Sequence, residues 1–173
     1  TAEAAVPVRL APGAVASEDS VWISDGNALV RVGAKDNKVS APVPIAGSCG
    51  SLVAAFSSIW VPSCAEERSL VRIHATDLKA TAKVDLGVAD GDGRIASGVG
   101  SIWLVTDRKG ILTRLDPDTN KPIAEIHVDG GASAVLFHGD ALWVTSGAGR
   151  KLTRINPHNH EIVEIIDVGP QPV

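Results

Sequence analysis

Four tryptophans, Trp22, Trp60, Trp103 and Trp143, each precede an arginine (Arg31, Arg72, Arg114 and Arg154) that follows a Leu-x pair. The arginines recur at intervals of about 40 residues, and each interval holds four short apolar runs. The runs are rich in Val, Ile and Trp and are bounded by Gly, Asp, Asn and Pro. Runs of this kind are strand signals, and four of them per period of about 40 residues mark stacked β-blades. No segment keeps a 3.6-residue period, so the chain reads as all-β.

The register supports this reading. From each repeated arginine the next seven positions align without a gap, ending at Lys38, Lys79, Lys121 and Glu161. The Trp-to-Arg interval varies instead, at 9, 12, 11 and 11 residues. Constant turns after the third strand and variable loops before it suit a β-propeller, whose blades match in the scaffold and differ on one rim. The repeats span approximately residues 12–47, 48–88, 89–130 and 131–169. With the strands of a blade called a to d, the first repeat reads as strands over 13–17, 20–24, 28–32 and 39–45, and the second over 51–56, 58–62, 69–73 and 81–86. The third reads over 94–97, 101–105, 111–115 and 123–128, and the fourth over 134–137, 141–145, 151–155 and 162–168. An extra strand is expected at 5–10, where its prolines suit an edge. The fourth repeat has its own outer strand, so this extra strand finds no vacancy there. The ending Val168-Gly-Pro-Gln-Pro-Val173 reads as the lead into a fifth blade. The expectation is four blades of a larger propeller, completed by further sequence or a second chain. Four blades closing alone, or two chains pairing into eight, compete with it.

Among the 173 residues, 16 basic and 20 acidic side chains give a net charge of −4, spread without blocks. Nucleic-acid binding would call for a basic stripe, and membrane association for a polybasic segment or amphipathic helix; neither is present. The chain has no Met and begins Thr1-Ala-Glu-Ala-Ala, which reads either as the end left by a signal peptidase or as a trimmed boundary. Cys49 and Cys64 are the only cysteines. They flank the first hairpin of the second repeat, side by side at its open end. A disulfide there would point to an oxidising compartment, periplasmic or secreted; two free thiols or a redox pair are the alternatives.

Gly100-Ser-Ile-Trp-Leu-Val, Leu112-Thr-Arg-Leu-Asp-Pro-Asp-Thr-Asn-Lys and Ile165-Ile-Asp-Val-Gly-Pro-Gln-Pro resemble the YVTN-type propeller repeat, and within it the virginiamycin B lyase-like propellers. The glycine pairs of kelch repeats and the Gly-His and Trp-Asp signatures of WD repeats are missing. The resemblance covers nearly the whole chain. It implies a propeller of about seven blades, usually exported in bacteria. Virginiamycin B lyase opens a cyclic depsipeptide ester by elimination, using Mg²⁺ and a catalytic His. No motif around the five histidines of this chain matches that His, so the resemblance transfers no catalytic residue.

A side chain present in every repeat serves the blade, and one that breaks the pattern is free to serve a site. By this rule the tryptophans are inter-blade core and the arginines bond loop carbonyls or acids. Asp116-Pro117 and Asn156-Pro157 begin c–d turns, where the Asp or Asn side chain caps the backbone. The d–a and b–c loops share one rim, and the ligand-binding candidates sit there: Asp25, Asn27, Glu66, Arg68, Asp90, Asp92, Arg94, Asp107, Arg108 and Arg150. Asp90-Gly-Asp92-Gly-Arg94 superficially resembles a calcium loop without its full ligand spacing, so Mg²⁺ or Ca²⁺ is weighed there against a solvated turn. No cofactor is otherwise evident. His158 and His160 lie two apart in a c–d turn and read as turn residues. No nucleophile elbow, phosphate loop or zinc spacing appears. Two functions remain open: an extracytoplasmic scaffold binding a small molecule or protein through its rim loops, and a metal-dependent lyase or hydrolase acting on an ester or lactone.

Overall fold

The computed structural model describes residues 13–89 and 95–169; the expected strand at 5–10 lies outside them. The chain forms two compact units, Thr1–Asp85 and Leu86–Val173. Each holds two four-stranded antiparallel sheets in sequence order, and no helix occurs among the described residues. In the N-terminal unit the first blade is β1 (Gly13–Ala16), β2 (Ser20–Ser24), β3 (Ala28–Gly33) and β4 (Val43–Pro44). The second is β5 (Val53–Ala55), β6 (Ser58–Ser63), β7 (Ser69–His74) and β8 (Ala80–Val84). In the C-terminal unit β9 (Ile95–Gly98), β10 (Ser101–Asp107), β11 (Ile111–Asp116) and β12 (Lys121–His127) make the third blade. The fourth is β13 (Ala132–His138), β14 (Ala141–Ser146), β15 (Lys151–Ile155) and β16 (Ile162–Asp167).

All strands but one lie within two residues of the sequence reading at each end. The outer strand expected over 39–45 shrinks to Val43–Pro44 with a single bridge from Val32 to Val39. Pro42 and Pro44 remove ladder donors, which a short edge strand tolerates. The strand expected over 51–56 ends at Ala55, because Phe56 and Ser57 both take positive φ (54° and 53°) to make the a–b turn.

One device recurs in all four blades. Each tryptophan pairs across the b–c ladder with its arginine, as in Trp103 opposite Arg114. The guanidinium lies 4.9 to 5.9 Å from the indole centroid, a contact worth roughly 0.5–2 kcal/mol according to its burial. Each indole N–H donates to the residue five positions earlier: the Ser17 hydroxyl, or the carbonyls of Ala55, Gly98 and His138, at 3.0 to 3.2 Å. The arginines bond loop carbonyls, as the sequence suggests: Arg72 donates to Phe56 and Arg114 to Val99. Trp22, Trp60 and Trp103 are fully buried. Trp143 departs from the expectation of a fourth core tryptophan and is only partly buried.

Arg72 and Arg114 also donate Nε to the hydroxyls of Ser58 and Ser101, both at 2.8 Å. The fourth blade carries Ala141 at that position, and Arg154 Nε is buried with no hydrogen-bond partner among the described residues. Ala141→Ser restores the acceptor at a buried site, and we expect a gain of about 1 kcal/mol in urea unfolding. An unchanged midpoint would show that Arg154 already satisfies this donor another way.

The c–d turns use the expected capping. Asp116 accepts the N–H of Asp118 at 2.7 Å, and Asn156 that of His158 at 2.9 Å. Asp36 and Asp77 accept the N–H groups of Lys38 and Lys79 in the same turns. These backbone hydrogen bonds hold all three carboxyls below the ordinary aspartate value of 3.8. A carboxyl depressed on folding contributes stability above its unfolded value and loses it as pH falls through its folded value. The thermal midpoint should therefore be flat above about pH 5 and fall below pH 4. Asp116→Asn keeps the cap, as Asn156 does, and should make that fall shallower. A fall of unchanged depth would remove Asp116 from the acid response.

Candidate functional site

The b–c loops and the links between blades meet on one rim within each unit. In the N-terminal unit, link residues Ile45 and Ser48 donate their N–H groups to the carbonyls of Asn27 and Gly26, both at 2.8 Å. Cys49 N–H then donates to Pro62 and Cys64 N–H to Gly47, at 3.0 and 2.8 Å. These bonds bring Cys49 and Cys64 to a Cα separation of 5.9 Å, and they form a disulfide. The C-terminal unit repeats the weave without cysteines: Val128 donates to Gly110 and Gly131 to Arg108, while the Ser146 hydroxyl donates to Gly130.

A groove of about 880 Å³ opens beside this weave in the N-terminal unit. Pro44–Ala46, Ser63, Ala65–Glu67, Ser69, Val71 and Ala80–Lys83 line it. The sequence builds it simply. Short β4 leaves room beside the first blade, the b–c loop of the second contributes Glu66 and Glu67, and β8 adds Thr81 and Lys83. Across the groove Lys83 Nζ donates to Glu67 Oε2 at 2.7 Å. This bond holds the Glu67 carboxyl below its ordinary range and the Lys83 ammonium above its own. Both groups are exposed, so the pair adds little to stability and stays available to a charged ligand. On the floor, the Ser69 hydroxyl is buried with no partner among the described residues. An ordered water is the ordinary partner of a buried hydroxyl of this kind.

The candidate residues separate on this geometry. Glu66 lines the groove, and Arg68 stands beside it in the same exposed loop. Asp25 is occupied locally, its carboxylate accepting the N–H groups of Asn27 and Ala28 at 3.2 and 2.8 Å. Asp107 does the same for Lys109 at 2.7 Å. In the C-terminal unit Arg108 and Arg150 sit in exposed loops of one rim, and Arg150 takes a positive φ of 52°. Asp90, Asp92 and Arg94 lie outside the described residues. Among the described residues no three His, Cys, Asp or Glu side chains stand together as a metal site. Ser69, Thr81 and Lys83 escape a reading based on rim loops, because they belong to strands. Ser69 and Lys83 lie toward the rim end of β7 and β8, whereas Thr81 lies toward the c–d turn. His160 sits in the c–d turn as the sequence suggests, its N–H donating to the Asn156 carbonyl, and its ring also stands edge-on to Trp103 at 6.0 Å.

No protein-family model and no curated protein match the chain. Solved structures do. Virginiamycin B lyase from Staphylococcus aureus is 20% identical, with a TM-score of 0.72 over 89% of this chain and 54% of its own. A streptogramin B lyase is 18% identical, with a TM-score of 0.75 over 98% of this chain and 57% of its own. Apo AztD from Citrobacter koseri is 14% identical, with a TM-score of 0.72 over 95% of this chain and 49% of its own. The chain thus spans about half the length of these proteins. At such identities the likeness establishes the fold alone: the four sheets are blades of a virginiamycin B lyase-like β-propeller.

Proposed function

We propose that this chain is an extracytoplasmic binding scaffold that holds a small molecule or a protein segment at the rim groove of its N-terminal unit. The observation that carries the reading is the groove itself, with the orphaned Ser69 hydroxyl on its floor and the exposed Glu67–Lys83 pair across it. A ligand with both an acidic and a basic group would exchange with that pair and meet Ser69 beneath it. The Cys49–Cys64 disulfide is compatible with an oxidising compartment and supports placement in a periplasm or outside the cell.

The likeness to virginiamycin B lyase favours a second reading, a lyase acting on an ester or lactone. One experiment separates the two. The ¹⁵N-labelled protein is titrated with a zwitterionic dipeptide and, separately, with a cyclic depsipeptide lactone and Mg²⁺. The scaffold reading expects dipeptide shifts confined to the groove residues and weakened at least tenfold in Lys83→Ala, with the lactone left closed. Shifts elsewhere, or none at millimolar dipeptide, would overturn the groove as a site for such ligands. Ring opening by the protein would instead establish the lyase reading.

A further inference from the structure

Beside the weave, the second and fourth blades match residue for residue. Ser63 and Ser146 hold one position, and each hydroxyl donates to a link carbonyl, Ala46 at 2.7 Å and Gly130 at 2.6 Å. The next N–H closes the same turn: Cys64 donates to Gly47, and Gly147 to Gly131, at 2.8 and 3.3 Å. Gly47 and Gly131 both take positive φ, and a Cβ on either would strike the matching alanine, Ala65 or Ala148. Across the ladder Ser63 faces Ser69, and Ser146 faces Lys151. Ser69 and Lys151 are therefore one place in two blades.

The two units fill that place differently. In the C-terminal unit the Lys151 ammonium lies 3.2 Å from the Asp129 carboxylate, an ion pair without the alignment of a hydrogen bond. Asp129 is an added link residue. Ile45 and Val128 make the same bond to the preceding b–c loop, yet Asp129 separates Val128 from Gly130 while Ile45 adjoins Ala46 directly. In the N-terminal unit the lysine is replaced by Ser69, and the added residue lies in the b–c loop, where Glu66-Glu67 stands for the single Gly149. A Cβ on Gly149 would lie 2.9 Å from the Ser146 hydroxyl and 3.6 Å from Asp129 Oδ2. The acid has thus moved from link to loop while staying beside the same place. The lysine arm has gone, and there the groove opens over Ser69.

We propose that the groove of the N-terminal unit takes a primary ammonium on an alkyl arm, the group that the C-terminal unit supplies from its own chain as Lys151. A peptide presenting a lysine side chain is the ligand class that carries it. This rests on the groove being the binding site, and it names the basic group of the ligand. The methylenes lie along Pro44, Ile45 and Val71, which line the groove, as lysine stems lie along apolar surface elsewhere. An ammonium has three N–H donors and no acceptor. One goes to the Glu66 carboxylate and one to the buried Ser69 oxygen, in the place of water. The carboxylate of the peptide exchanges with Glu67 on Lys83.

Titration of the ¹⁵N-labelled protein with glycyl-lysine and with glycyl-norleucine, which keeps the arm and lacks its nitrogen, tests this. Glycyl-lysine should bind roughly tenfold more tightly, the worth of one hydrogen bond to a charged group, with shifts at Ala46, Glu66 and Ser69. Ser69→Lys copies the fourth blade. It should fill the groove, keep the wild-type circular dichroism and weaken glycyl-lysine about tenfold. Equal affinity of the two dipeptides, with shifts confined to the groove, would overturn the ammonium and leave the groove a site for zwitterions. Binding of neither would overturn the groove reading and this proposal together. Undiminished binding by folded Ser69→Lys would also overturn the proposal; if that variant does not fold, the two dipeptides on the wild-type protein decide.

Discussion

Trp103→Ala should destabilise the C-terminal unit by about 3–5 kcal/mol, the range for deleting a fully buried aromatic side chain, while Trp143→Ala should cost about 1–2 kcal/mol. The two residues hold the same place in their blades and make the same local contacts. Each donates its indole N–H to the carbonyl five residues back, and each lies under its arginine. They differ in what covers them. Trp103 is enclosed by Val105, Leu112, Val135, Leu142 and Val144, with His160 on its edge. Removing it leaves a cavity in close-packed surroundings and frees Arg114 from its indole. Trp143 leaves no such cavity, since part of its surface already meets solvent. Urea unfolding followed by far-ultraviolet circular dichroism compares the two without relying on the deleted fluorophore. Equal losses would mean that local blade contacts, and not coverage by the next blade, set the energy.

Breaking the Cys49–Cys64 bridge is the second large effect. The cysteines lie 15 residues apart, and releasing a loop of that size costs about 3 kcal/mol through the added freedom of the unfolded chain. In a unit of this size that should lower the thermal midpoint by roughly 10–20 °C. Cys49→Ala/Cys64→Ala and dithiothreitol treatment should agree, and dithiothreitol should not affect the double variant. The backbone bonds from Cys49 to Pro62 and from Cys64 to Gly47 should hold the link in place at low temperature. The loss should thus appear on heating, with dipeptide binding at the adjacent loop weakened first. Oxidised and reduced protein melting together would show that this backbone weave alone closes the hairpin.

Much of this was legible from residues. The four strands of each blade and the turn after each arginine follow from a repeat aligned without gaps there. The disulfide follows likewise from hairpin pairing. That Trp22, Trp60, Trp103 and Trp143 stand opposite Arg31, Arg72, Arg114 and Arg154 was not legible, because the Trp-to-Arg interval varies at 9, 12, 11 and 11 residues. Harder to read were positions where one proline or one missing hydroxyl alters a repeated element, as at β4 and at Ala141. The groove was the least legible part. Glu66 comes from a loop, but Ser69 and Lys83 come from strands whose alternation says which face they take, not what stands opposite. Asp25 and Asp107 looked equally free in the sequence, and a turn hydrogen bond occupies each.

Strand periodicity, turn chemistry and the repeat itself were determined by the sequence, because they depend on interactions between residues near one another in the chain or matched across a ladder. Only the tertiary structure decided which copy of a repeated side chain is covered. Trp103 and Trp143 are equivalent in sequence, but Trp103 is buried against the fourth blade and Trp143 is only partly buried, because burial depends on what packs against a side chain from elsewhere in the fold.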